Sequence, residues 1–221
     1  MYDHCYDDNH SFMEFNAENG KYNKKRRKGI YDKLLCGDCE DIIKEYEDYA
    51  KKIIYLNAKP AIEVEKKAYC NNNYDYRLLK LFVLSLLWRA SISSQDSFKQ
   101  ASLGKYEEEL RDILLDGLNT SVDNYPSYLY QTHIDGDLSN GVFMEIYPTK
   151  SKFDGKTIYQ FVADGIFFFV GVGKQTLKTF SDGSSMTPER LIVGYDSLMK
   201  LPSLLDAFSR LHQQGKLKGY D

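Results

Sequence analysis

Hydrophobic positions follow two regimes along this chain, helical spacing up to residue 115 and strand-like alternation beyond residue 125. Ile42, Ile43, Tyr46, Tyr49, Ala50, Ile53 and Ile54 recur at three- and four-residue steps and predict a helix over 39–56. Its acidic residues come early and Lys51-Lys52 come late, as the helix dipole favours. Leu78, Leu79, Leu81, Phe82, Leu84, Leu86, Leu87 and Trp88 predict a second helix over 76–93. It is apolar nearly all round, which marks it as central and buried. A third helix is expected from Gly104 to Leu115, with Tyr106, Leu110, Ile113 and Leu114 inward and Gly117 ending it. Cys70-Asn71-Asn72-Asn73 reads as a loop.

The second half predicts strands over 128–133, 141–147, 157–163, 166–172 and 190–195, with Asp164-Gly165 as a hairpin turn. Pro202 is expected to open a terminal helix carrying Leu204, Leu205, Phe208 and Leu211, stopped at Gly215. Near the N-terminus, residues 11–15 alternate and Asn19-Gly20 signals a turn. A short hairpin is expected there, with the run Lys24, Lys25, Arg26, Arg27 and Lys28 on its second strand or just after it. Helices first and strands later indicate an α+β fold. The expected order is an N-terminal hairpin with a zinc-knuckle-like turn, a central helical region, and a C-terminal antiparallel sheet with a terminal helix. Residues 1–57 hold the hairpin, the turn and the first helix. Residues 58–221 hold the helical core and sheet, and the two parts are expected to form one compact unit. Neither repeats nor low-complexity tracts are present.

Composition narrows the function classes. With 43 % apolar and 28 % charged residues the chain is globular, and its net charge of −3 provides no global basic field for nucleic acid. The N-terminus has no basic-then-apolar signal pattern, and the longest apolar run, 78–87, is interrupted by Lys80 and too short for a bilayer. No membrane partner is expected. Four cysteines, two of them in one CxxC, suit a reduced compartment, so a cytoplasmic location is expected. Gly165, Gly171 and Gly173 lie around a strand and do not make a dinucleotide loop. GxSxG, P-loop and HExxH patterns are absent, and no nucleotide cofactor is expected.

Cys36-Gly37-Asp38-Cys39 follows Leu34-Leu35 and opens the first helix. A CxxC turn brings two thiolates onto one tetrahedral zinc ion, and an apolar segment before it with a helix after it is the setting of a zinc knuckle. Zinc is therefore the candidate cofactor. Two more ligands are needed, and Cys5 with His10 are the first candidates, with His4 and Cys70 behind them. His4 and Cys5 are adjacent, and neighbouring side chains diverge. His133 and His212 read as ordinary strand or surface histidines. The competing readings are two structural thiols, or a redox pair, for which a thioredoxin-like site wants a βαβ context that the pattern lacks.

The basic run Lys24, Lys25, Arg26, Arg27 and Lys28 can contact phosphates, with Tyr22 and Tyr31 placed to stack on bases. The plainer reading is a solvated strand or loop, with Asp3, Asp7, Asp8, Asp38 and Asp41 near in sequence. Arg89, after Trp88 on the most apolar helix, is expected to form a structural ion pair with Glu107, Glu108 or Glu109.

The segment Gly29-Ile30-Tyr31-Asp32-Lys33-Leu34-Leu35-Cys36-Gly37-Asp38-Cys39-Glu40 resembles a group of bacterial proteins related to HNH endonucleases. Leu87-Trp88-Arg89-Ala90-Ser91 and the segment from Ser102 to Glu108 resemble the same group's helical region. The resemblance spans roughly residues 2–115 and is specific at the CxxC and the Trp-Arg-Ala-Ser segment. It implies that an earlier CxxC and a Ser-His-Ile-Ile-Pro segment precede the counterpart of Tyr2-Asp3, the histidine activating water beside a metal ion. Cys36 and Cys39 carry over by position; the earlier CxxC and that histidine have no counterpart here, and neither His4 nor His10 inherits its role. The chain is expected to be a natural short form or to start downstream within a longer reading frame.

The leading expectation is a non-catalytic, HNH-related protein with a degenerate zinc knuckle that binds nucleic acid or a protein partner. The first alternative is a metal-dependent nuclease built from His4, His10, Asp7 and Asp8, so whether the chain is an enzyme stays open. The second is a protein inhibitor presenting Phe167, Phe168 or Phe169 as an exposed patch, against which stands a core on both faces of the sheet.

Overall fold

The structure, a computed structural model, describes residues 9–14, 24–27, 32–56, 62–63, 68–116, 124–134, 137–138, 144–153, 155–163, 165–174 and 184–197. Helices form where the apolar spacing predicts them. Helix α1 (Gly37–Ala50) buries Ile43, Tyr46 and Ala50 on one stripe and continues as a π-helical segment, Lys51–Leu56. Helix α2 (Tyr76–Ile92) starts at Asp75, whose Oδ1 accepts from the Leu78 amide at 2.9 Å, so a first-turn N–H is satisfied by a side chain. Ten of its residues are buried, as an all-round apolar helix requires. Helix α3 (Tyr106–Asp116) turns Leu110, Ile113 and Leu114 inward and carries Glu107, Glu108 and Glu109 in its first turn. A 3₁₀ segment, Asp96–Ala101, lies between α2 and α3.

The strands are β1 (Phe12–Glu14), β2 (Lys24–Arg26), β3 (Ile62–Glu63), β4 (Ala68–Asn71), β5 (Ser127–Ile134), β6 (Asp137–Leu138), β7 (Met144–Phe153), β8 (Lys156–Ala163), β9 (Ile166–Gly171), β10 (Ser185–Met186) and β11 (Leu191–Ser197). They form one sheet in the order β2-β1-β7-β8-β9-β5-β11-β4-β3, with β10 beside β11 and β6 beside β5. The fold is α+β, with the helical centre followed by the sheet. The meander β7-β8-β9-β5 is antiparallel throughout, whereas β5·β11 and β1·β7 are parallel, so the sheet is mixed. Of the segment expected to be a loop, Cys70 and Asn71 end strand β4, which pairs with β11, and Asn72-Asn73 form the bend, where Asn71 Oδ1 accepts from the Asn73 amide. Gly165 adopts φ +75° at the β8–β9 turn, a conformation that glycine reaches without penalty. The expected terminal helix, the Asn19-Gly20 turn and Gly117 lie outside the described residues.

Alternation along the strands separates two apolar clusters. Leu129, Tyr159, Phe161, Ile166, Phe168 and Val170 join the helices in the main core, where Phe82 of α2 meets Phe168 edge-on at 6.0 Å. Tyr128, Tyr130, Phe153, Ile158 and Phe169 cluster on the other face. Phe167 stacks on Phe169 at 6.2 Å and is only 4 % exposed, while Phe168 is 0 % exposed. The exposed phenylalanine patch expected of an inhibitor surface is therefore not found. Period-two alternation sends Phe167 and Phe168 to opposite faces, where both are buried, while Phe169 is half-buried.

Candidate functional site

The CxxC stands where the incoming chain turns into α1. Leu35 packs on the main core and fixes the approach. Cys36 is extended (φ −79°, ψ 166°) as the N-cap residue, and its carbonyl accepts the first helical hydrogen bond, from Glu40 N at 3.0 Å. Cys39 lies in the first turn that follows, and the two Sγ atoms are 3.3 Å apart. Cys36 is exposed and Cys39 half-buried.

The two thiols differ chemically. The Cys39 amide, then the Cys39 thiol, lower the pKa of Cys36 against the opposing charge of Asp38. The Cys39 pKa is raised, first by its hydrogen bond with the Cys36 sulfur and then by burial and the neighbouring negative groups. The same sulfur–sulfur contact thus acts in opposite directions on the two thiols.

Two converging soft donors match half of a tetrahedral zinc set. Among the described residues, no group of three or more His, Cys, Asp or Glu side chains assembles to hold a metal, so His10 is not gathered with the two thiols. His10 is exposed in a left-handed conformation (φ 54°) just before β1. Cys5, His4, Asp7, Asp8 and His212 lie outside the described residues. The Cys70 backbone belongs to β4 and the His133 backbone to β5, with His133 paired to Leu138 of β6.

The basic run begins on β2, the end strand of the sheet among the described residues. Strand β2 pairs antiparallel with β1 in the register Phe12↔Arg26, Met13↔Lys25 and Glu14↔Lys24, and β1 joins β7 through Glu14↔Met144. The expected hairpin therefore forms, with Lys24, Lys25 and Arg26 on its second strand and Arg27 exposed just after it. Lys28 lies outside the described residues. Basic residues on an edge strand suit phosphate contact, and they equally discourage edge-to-edge pairing.

Between hairpin and CxxC the chain is tied down by Asp32, whose Oδ2 accepts from Ser93 Oγ at 2.8 Å at the C-terminal end of α2. Arg89 is paired, but with Glu47 of α1 at 2.7 Å rather than with the glutamates of α3, and it also donates to the Ser85 carbonyl at 3.3 Å. Sequence proximity suggested α3; the side-by-side packing of α1 on α2 determines the partner instead. The segments containing the CxxC and Trp88-Arg89 thus form one helical corner.

One buried polar group was signalled only as an interruption of an apolar run. Lys80, 1 % exposed, donates from Nζ to the Tyr125 carbonyl and to Ser127 Oγ (3.0 Å). Burial pushes its pKa down to about 7. It ties the second turn of α2 to the start of β5.

No helix among the described residues is long and apolar enough to cross a membrane. Comparison of the chain with models of known families, with curated proteins and with solved structures returns no match.

Proposed function

We propose that this chain is a non-catalytic, HNH-related binding protein whose CxxC is a degenerate zinc knuckle and whose basic N-terminal hairpin contacts nucleic acid. The observation that carries this reading is the position of Lys24, Lys25 and Arg26 on β2, the end strand of the sheet among the described residues, followed by exposed Arg27. Successive basic residues in the sequence offer cations to a phosphate backbone, and a local run suffices where the net charge is −3. The Asp32–Ser93 bond supports the reading further, because it anchors the chain between this strand and the CxxC to the helical corner.

The test is fluorescence anisotropy of short single- and double-stranded DNA and RNA, titrated at several salt concentrations. Binding is expected to weaken linearly on a double-logarithmic plot against salt concentration. A Lys24→Glu/Lys25→Glu/Arg26→Glu variant should bind more weakly and show a shallower slope, by roughly one for each phosphate it no longer neutralises. Absence of binding to all four probes would refute the nucleic-acid reading in favour of a protein partner. Strand cleavage with added divalent metal, abolished in His10→Ala, would establish the nuclease alternative.

A further inference from the structure

We infer that Cys36 and Cys39 form a reversible intramolecular disulfide, with Cys36 as the attacking sulfur, Cys39 as the resolving sulfur, and a small disulfide of the glutathione type as oxidant. This goes beyond the binding reading and holds whether or not the hairpin contacts nucleic acid. The first ground is distance. Sulfurs 3.3 Å apart need to approach by only about 1.3 Å to reach a disulfide bond length of about 2.05 Å. The second ground is where the movement falls. Cys36 is the N-cap, in extended conformation, so its side chain can rotate toward Cys39 while its carbonyl keeps the bond to the Glu40 amide. The third is access. Cys36 is exposed and Cys39 half-buried, and a Cβ built at Gly37 between them meets nothing within 4 Å, so a small disulfide reaches Cys36 first.

The exchange runs in two steps. Cys36 loses its proton to solvent and its thiolate attacks one sulfur of the oxidant; the mixed disulfide forms, the oxidant's own S–S bond breaks, and one small thiolate leaves and takes a proton from solvent. Cys39 then loses its proton to solvent and attacks Cys36 Sγ. The Cys36–Cys39 bond forms, the mixed bond breaks, and the second small thiolate leaves. Two protein thiols are oxidised by two electrons, and one disulfide is reduced to two thiols.

Trypsin releases residues 34–44 as one peptide containing both sulfurs and neither Cys5 nor Cys70, which allows the wild-type chain to be read directly. The full-length protein would be incubated in buffers of graded oxidised-to-reduced glutathione ratio, quenched with acid, alkylated and mapped by mass spectrometry. The expected result is that this peptide loses both alkylation sites together and becomes two hydrogens lighter, without accumulating glutathione. Cys39→Ser should instead trap one glutathione on Cys36, and Cys36→Ser should leave Cys39 mostly unmodified over the same interval. Two alkylatable thiols in the most oxidising buffer would overturn the inference. So would a wild-type peptide that accumulates the same adduct as Cys39→Ser, or thiols that react only after a chelator has removed bound metal.

Discussion

At the residue scale, Lys80 places an ammonium group inside the apolar helix α2. An ammonium group 1 % exposed is costly unless its protons find acceptors, and Lys80 reaches the Tyr125 carbonyl and Ser127 Oγ, neither of them charged. Its pKa falls from 10.5 to about 7 through desolvation. Between those values the unfolded chain holds a proton that the folded chain releases, so this group makes unfolding harder as pH rises from 7 toward 10.5. Below the folded value both states are protonated, and the burial penalty applies in full. Lys80→Met is expected to flatten that part of the stability–pH profile. It should also be neutral or stabilising below pH 7, because Ser127 Oγ already bonds the Tyr125 carbonyl at 3.0 Å and leaves no acceptor stranded. Urea unfolding of the two proteins across this range measures the difference, and parallel profiles would refute the assignment. Lys80 was visible as a break in the run 78–87, but a helix apolar all round has no polar face from which its burial could be read. The partner of Arg89 was equally illegible, since Glu47 is 42 positions away and reaches it only through the packing of α1 on α2.

At the element scale, most long periodic segments were legible and most short ones were not; the exceptions are β7, expected over 141–147 and found at Met144–Phe153, and the short β1–β2 pair, which was expected. Helices α1, α2 and α3 and strands β5, β8, β9 and β11 lie where the apolar spacing places them. Two-residue strands such as β3, β6 and β10 contain no period, and they are strands because β4, β5 and β11 offer them partners. The parallel contact of β11 with β5 is equally non-local, and no pattern within either strand marks it. Gly173 shows how an unremarkable residue acquires a fixed role through such placement. Its φ is +77°, and a Cβ there would meet Tyr106 Oη at 2.9 Å and Cε1 at 3.1 Å. Tyr106 packs edge-on to Tyr125 at 6.4 Å and is not free to swing clear without disturbing that contact. Gly173→Ala is therefore expected to cost about 1–3 kcal/mol, combining left-handed strain with overpacking. Chemical denaturation is the measurement. A change within a few tenths of a kcal/mol would mean that Tyr106 yields without cost.

At the scale of the whole molecule, the question is whether the N-terminal part with its CxxC is an appendage or part of the core. The thiol turn stands at the rim, with Cys36 exposed, but the helix that it opens sends Ile43, Tyr46 and Ala50 into the same apolar cluster as α2, α3 and the sheet. Tyr46 Oη donates to the Leu114 carbonyl at 2.9 Å, and Glu47 pairs with Arg89, so α1 is bonded to α3 and α2. That arrangement predicts a single cooperative unit, in which damage to α1 is felt by α2. Trp88, the sole tryptophan and 4 % exposed within α2, reports core integrity by fluorescence, whereas far-UV circular dichroism reports all helices and strands together. Ile43→Ala removes a side chain that is 2 % exposed and is expected to destabilise the protein by about 2–4 kcal/mol. Both probes should shift to the same lower denaturant midpoint and remain coincident. If only the dichroism moved while Trp88 kept its wild-type transition, residues 1–57 would be a separate unit, and chemistry at Cys36 and Cys39 would have no route to the rest of the molecule. Coincident shifts would instead make any event at the start of α1, whether a disulfide closing or a metal binding, an event felt by the fold as a whole.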